Sequence, residues 1–314
     1  MIEFRDVTFF YGEETAPSVD GVSLKIDKGE TVVLCGESGC GKSTMTRLIN
    51  GLIPHFHEGK LEGEVLYDGK RTTDMRLYEL SEHVGSVFQD PRTQFYNVES
   101  TVELAFGCEN LGVPPEEIEQ RITRTATRFG LEELLDRNLF AMSGGEKQRI
   151  ACGSVDATNP ETLVLDEPSS TLDLFAIHDL AQVVQRWRDD GKTLVIAEHR
   201  IFYLVDLADR FIYIRDGRIE REFRPDELRT HSPEALEDLG LRAPDPWKLA
   251  PRAEARGSGE SLSLRSLKCI TRGRRRLSIP ELTLPRGEII AVIGRNGAGK
   301  TTLARTLCGL EKTG

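Results

Sequence analysis

The sequence predicts an α/β fold built on a mostly parallel sheet, and three observations carry that expectation. Short continuous apolar runs recur (ETVVLCG, TLVLDE and KTLVIAEH) and read as strands buried on both faces. Helical patterns separate them, over residues 42–52, 115–129, 145–155 and 174–189. A glycine-rich turn, GESGCGKS, follows the first buried run and opens the first helix. The middle of the domain, about residues 96–155, is polar and helical, an insertion into the strand–helix alternation.

At the N-terminus, IEFRDVTFFY alternates as a half-buried strand does. The next run leads into Gly36, Glu37, Ser38, Gly39, Cys40, Gly41, Lys42 and Ser43, which satisfy G-x-x-x-x-G-K-[ST] in the strand-to-helix context the motif needs. Glycines there let successive N–H groups turn inward around α- and β-phosphates at a helix N-terminus. Lys42 reaches the outer phosphates, and the Ser43 hydroxyl is a Mg²⁺ ligand. The plain alternative is a strand-to-helix turn with a surface lysine.

TLVLDE ends its strand on two acids. Asp166 fits a Mg²⁺-side ligand, and Glu167 fits the group that orients an attacking water or takes its proton; two solvated acids are the bland reading. In MSGGEKQR, Ser143, Gly144 and Gly145 put a hydroxyl and free backbone donors at another helix start, which also suits phosphate. One domain needs no second phosphate cradle for one nucleotide. A second cradle makes sense if it closes over a nucleotide held by another copy.

The sequence itself contains such a copy. Residues 28–52 align without gaps on residues 286–310, and ten of the 25 positions are identical. The second copy supplies Gly294, Arg295, Asn296, Gly297, Ala298, Gly299, Lys300, Thr301 and Thr302 as its own phosphate loop and helix start. The expected organisation is a first domain over 1–222, a linker over 223–260 and the N-terminal part of a second domain over 261–314. Five prolines and a Gly-Ser-Gly mark the linker, with a short helix expected near residues 233–239 capped by Ser232. A stretch as short as the second copy buries little surface for an independent domain, so a longer tandem protein, or two chains combining, is expected.

With 314 residues, 39% hydrophobic and 29% charged, the chain is ordinary for a folded protein and too apolar for a disordered one. A net charge of −10 does not favour nucleic-acid phosphates or an anionic membrane surface. Six scattered cysteines without a CxxC pair fit reduced thiols, and the N-terminus lacks a signal-peptide pattern. No apolar run is long enough to span a bilayer, so at a membrane another chain would form the pore.

In order and spacing, GESGCGKS, SVFQDP, MSGGEKQR, TLVLDE, SSTLD and IAEHR resemble the ATP-binding cassette (ABC) superfamily. The resemblance implies a P-loop NTPase cassette with an N-terminal antiparallel β portion, a parallel core sheet and a helical subdomain. It implies cassettes paired head to tail around ATP and Mg²⁺. It gives Tyr11 the role of stacking on adenine, Gln89 that of sensing Mg²⁺ and the γ-phosphate, and His199 that of the switch histidine beside the γ-phosphate. SSTLD resembles the loop that communicates between the two sites. A turn cap, a core aromatic or a structural histidine are the alternatives at these positions.

Further stretches, GLIPHFHEG, ELAFGCENLG and IAEHRIFYLVDLADR among them, are similar to the ATPase subunits of energy-coupling factor importers of vitamins and metal ions. That similarity implies ATP hydrolysis coupled to transport at the cytoplasmic membrane face. The implied partners are a transmembrane coupling protein, a substrate-binding component and a second cassette, with no nucleic acid. A soluble tandem ATPase acting on ribosomes or nucleic acid is the alternative, as is a slow regulatory nucleotide-binding module. The second copy departs from the pattern: Thr271 aligns with Tyr11. His55-Phe56-His57 offers no third ligand in view and reads as a solvated loop.

Overall fold

A computed structural model of the protein describes residues 1–241, 261–271, 274–294 and 297–310. The chain divides into two compact units, Met1–Leu249 and Ala250–Gly314. In the first unit β1 (Ile2–Tyr11) and β2 (Val19–Ile26) pair antiparallel, and β3 (Thr31–Cys35) leads through the glycine turn into α1 (Lys42–Ile49). The helix expected to reach residue 52 stops earlier, because Gly51 adopts left-handed backbone (φ 78°) and begins the short α2 (Leu52–His55). Strands β4 (Gly59–Tyr67) and β5 (Lys70–Arg71) complete a four-stranded antiparallel sheet in the order β2-β1-β4-β5.

After α3 (Leu77–Ser81) and β6 (Val84–Val87) comes the helical insertion, α4 (Ser100–Asn110), α5 (Pro115–Phe129) and α6 (Gly144–Thr158). The rest of the parallel sheet follows as β7 (Thr162–Asp166), α7 (Leu174–Asp189), β8 (Thr193–Ala197) and β9 (Arg210–Arg215). Finally β10 (Arg218–Phe223) adds an antiparallel edge, giving the order β10-β9-β3-β8-β7-β6. The turns that carry Lys42, Gln89, Glu167 and His199 leave the C-terminal ends of β3, β6, β7 and β8, where ligands bind in open α/β sheets.

Why these strands read as unbroken apolar runs is visible in the packing. Val33 and Cys35 of β3, Leu163 and Leu165 of β7, and Leu194 and Ile196 of β8 face one core, shared with α6, α7 and the helical insertion. Val32, Leu34, Val164 and Val195 face the other, beneath α1 and the antiparallel sheet. A period-2 strand between two cores must be apolar at every position. One buried polar joint ties the insertion to the rest: Asp156 on α6 accepts from Thr125 Oγ1 (2.8 Å) and Trp187 Nε1 (2.9 Å).

The segment expected to be linker from residue 223 onward begins as part of this unit. Helices α8 (Pro225–Thr230) and α9 (Pro233–Asp238) follow β10 directly, and Leu228, Leu236 and Leu241 are buried in the core that contains Phe211 and Phe223. Spaced leucines amid prolines and acids gave too weak a period to read as packing. Ser232 does cap α9, accepting the Ala235 N–H at 3.2 Å; the rest of the expected linker, 242–260, lies outside the described residues. Leu228→Ala is expected to cost about 2–5 kcal/mol, the range for emptying a core leucine site, and so to lower the thermal midpoint. An unchanged midpoint in scanning calorimetry would return α8 to the linker.

In the second unit β11 (Ser261–Thr271) and β12 (Arg274–Pro285) form an antiparallel hairpin, and α10 (Lys300–Leu307) follows the second glycine turn. Thr271 closes β11 as Tyr11 closes β1. The turn repeats the first copy's backbone: φ is 152°, 80° and 97° at Gly294, Gly297 and Gly299, against 142°, 82° and 107° at Gly36, Gly39 and Gly41. The counterpart of β3 differs. Residues 288–294 form no strand, and Ile289, Ile290, Val292 and Ile293 are exposed, since among the described residues no strand pairs with them.

Candidate nucleotide site

Sterics fix the first glycine turn. A Cβ on Gly36 would stand 2.1 Å from the Ile214 carbonyl oxygen, and one on Gly41 would stand 2.3 Å from that of Ser18. The turn therefore runs flush against β9 and the start of β2, where only glycine fits. Lys42 is buried, and its Nζ donates to the carbonyls of Gly36 (3.0 Å) and Glu37 (2.7 Å), spanning the loop it would share with a phosphate. Cys40 lies 3.6 Å from Lys42 Nζ, and burial raises its thiol pKa, so it behaves as packing.

Across the mouth of the turn, Ser43 Oγ donates to Asp166 Oδ1 at 2.8 Å. Burial raises the Asp166 carboxyl against that bond, which lowers it. One hydroxyl and one carboxylate are hard oxygen donors, a set that fits Mg²⁺ completed by phosphates and water. Among the described residues no cluster of three or more His, Cys, Asp or Glu stands ready for a metal.

Glu167 sits one residue on, in left-handed backbone (φ 44°) that aims its side chain back across the strand ends. Its Oε2 accepts from Gln89 Nε2 at 3.0 Å, and its Oε1 lies 2.6 Å from His199 Nε2. His199 Nδ1 in turn meets the Gly36 carbonyl at 3.1 Å. Both ring nitrogens thus face oxygen atoms, which fixes the plane of the imidazole between the glycine turn and the carboxyl. A cavity of about 380 Å³ opens over these groups, lined by Glu37, Ser38, Glu167, His199, Arg200 and Gly240 among others. A carboxyl held from both sides by an amide and an imidazole, at the rim of a phosphate-type loop, can orient a water molecule.

Tyr11 stands against the first turn of α1. Its hydroxyl is 3.3 Å from Thr44 Oγ1 and accepts from Arg47 Nη1 at 2.9 Å, and its ring meets Phe9 edge-on. His57 packs perpendicular to Tyr11, while His55 bonds the Met75 carbonyl. Ser143, Gly144 and Gly145 are not among the groups that meet around Glu167. Ser143 caps α6 in a reciprocal pair with Glu146, and a Cβ on Gly145 would stand 2.9 Å from Ala176 Cβ. In the second unit Lys300 Nζ donates to the Gly294 carbonyl at 2.7 Å, the contact Lys42 makes; Arg295 and Asn296 lie outside the described residues.

The profile described as ABC transporter matches residues 19–170 and 277–314, more than half of the sequence and both glycine turns. The chain belongs to the ABC transporter ATP-binding family. A relative in Treponema denticola, provisionally named as an ABC transporter ATP-binding protein, is 41% identical over 322 residues and matches 99% of this chain. A relative of the same name in Sulfurisphaera tokodaii is 37% identical over 310 residues, again 99% of this chain. The chain spans 65% and 64% of the length of these two relatives.

Solved ABC cassettes share the fold. CbiO1 of Clostridium perfringens, described as part of the ABC transporter complex CbiONQ, aligns with a TM-score of 0.65 at 28% identity over 72% of this chain and 89% of its own. A bacterial ABC transporter cassette in dimeric form aligns at 0.63 and 30% identity, over 72% and 99%. Within the cassette, sequence reasoning missed Arg47, Glu198, Arg200 and Gly240. Glu198 and Arg200 flank His199 inside IAEHR, Arg47 lies three residues after Thr44, and Gly240 lies 198 residues beyond Lys42 in sequence, so only folding brings it to Glu37.

Proposed function

We propose that this cassette binds and hydrolyses ATP as the engine of a membrane importer of the energy-coupling factor type. The observation that carries the reading is Glu167, held between Gln89 and His199 at the mouth of the Lys42 loop. In that role Gly36 to Thr44 cradle the triphosphate, Tyr11 faces the base, and Ser43, Asp166 and Gln89 would hold a Mg²⁺ ion. The metal would offset charge on the leaving phosphates. Ser143, Gly144 and Gly145, at the start of α6, would face a nucleotide held by a second cassette, while the second glycine turn through Lys300, Thr301 and Thr302 would serve the second nucleotide. A related cassette, 29% identical, was solved as a dimer bound to ADP and Pi in a post-hydrolysis state, which supports this pairing.

The importer reading draws on the CbiO1 likeness and on the sequence resemblance, and it extends to a vitamin or metal-ion class of cargo. Among the described residues no helix is long and apolar enough to cross a membrane, so the membrane path would belong to a coupling protein and a substrate-binding component. Their docking face would be the groove between β6 and the helical insertion, a cavity of about 280 Å³ edged by Leu77, Phe88, Tyr96 and Phe106. Tyr96 is 78% exposed there and stacks on Phe106 with ring centroids 4.9 Å apart. Tagged protein is expected to co-purify with integral membrane proteins from detergent-solubilised membranes of its host. Sedimentation with ribosomes and no membrane companion would overturn the importer in favour of a soluble tandem ATPase.

A further inference from the structure

Glu198 lies directly before the switch histidine and is 1% exposed. Its Oε1 accepts the backbone N–H groups of His199 (2.8 Å) and Arg200 (3.0 Å). Its Oε2 accepts the Ser169 N–H (3.3 Å) and the Tyr203 hydroxyl (2.9 Å). Burial beside this carboxyl pushes the Tyr203 pKa well above its ordinary value, which keeps the hydroxyl a donor. Two of the four donors belong to the turn after β8 that carries His199, and one to the SSTLD turn that follows Glu167.

Arg200 closes the same joint from the other side, its Nη1 donating to the carbonyls of Ser169 (3.2 Å) and Leu172 (3.1 Å). Ser170 then reaches the Gln89 carbonyl through its hydroxyl at 3.4 Å. The two groups that grip Glu167, the amide of Gln89 and the ring of His199, are thus both tied to one turn. A buried carboxyl is costly unless fully bonded, and an apolar side chain would fill this space without fixing either turn.

We propose that Glu198 is a positioning residue that bolts the His199 turn to the SSTLD turn, so that the imidazole meets Glu167 only when both turns are in register. The proposal rests on the hydrolytic reading of Glu167 and His199. It makes the SSTLD turn, which the family resemblance sets toward the second cassette, the lever through which that cassette's arrival would reach the switch histidine.

Glu198→Gln keeps the volume and turns one acceptor oxygen into a donor facing donors. In the full chain, kcat for ATP hydrolysis is expected to fall by about 10- to 100-fold, the effect of misplacing a reacting group by about an ångström, with KM for ATP within about two-fold. In a His199→Ala background the same substitution is expected to cost no more than about two-fold further, since both changes act through one contact. Tyr203→Phe removes a single donor and is expected to lower kcat several-fold with ATP affinity kept; it decides the matter should Glu198→Gln fail to fold. A parent chain that hydrolyses ATP while Glu198→Gln leaves kcat unmoved, or slows His199→Ala as much as it slows the parent, overturns the proposal alone. A folded parent that binds ATP without hydrolysing it overturns the hydrolytic reading and this one with it.

Discussion

Lys42→Ala is expected to weaken ATP binding by about 2–5 kcal/mol, a loss of at least about thirty-fold in affinity, the range for truncating one partner of a desolvated charge pair. The side chain is 3% exposed and donates to two carbonyls of its own turn, so the loop is already shaped around an ammonium. Alanine removes the counter-charge to the outer phosphates and leaves those carbonyls, which repel anions, facing the site. Lys300 makes the matching contact with Gly294 in the second copy, which shows the arrangement to be a property of the motif rather than of one neighbourhood. Titration calorimetry with ATP and Mg²⁺ measures the loss; an unchanged Kd would mean that the nucleotide sits elsewhere.

Glu167→Gln is expected to act on the other quantity. Turnover should fall by roughly 10²- to 10⁴-fold, the range for removing a general base, while ATP affinity stays near that of the parent. The carboxamide can still span Gln89 and His199, because its oxygen accepts from one of them, but it has no basic oxygen for the proton of an attacking water. Slow hydrolysis with retained binding should accumulate a closed, ATP-bound pair, visible as a larger species by light scattering only when ATP is present. Hydrolysis at the parent rate would remove Glu167 from the chemistry.

What the sequence made legible was whatever short-range chemistry dictates. The strand-turn-helix around Lys42 was readable because glycine spacing, an apolar run and a helix start coincide within about a dozen residues, and α5 and α7 were readable from their helical pattern over their full lengths. Asp166, Glu167, Gln89 and His199 were nameable as motif members, yet the convergence of Gln89 and His199 on the Glu167 carboxyl spans 110 residues of chain, and no local pattern encodes a distance of 2.6 Å. Glu198 was opaque for a related reason: an acid beside a histidine looks solvent-facing in sequence, and only burial beneath two turns reveals four donors around it. The helix near 233–239 was readable, but α8 and the packing of both helices were obscured by prolines, which advertise turns more strongly than three spaced leucines advertise a core.

Residues 289–293 of the second unit are the sequence counterpart of β3 in the first. Ile289, Ile290, Val292 and Ile293 form a strand-length, branched, uncharged run with which, among the described residues, no strand pairs. A run of that make-up suits the interior of a parallel sheet, so supplying flanking strands to this unit is expected to cover it, as β8 and β9 cover β3.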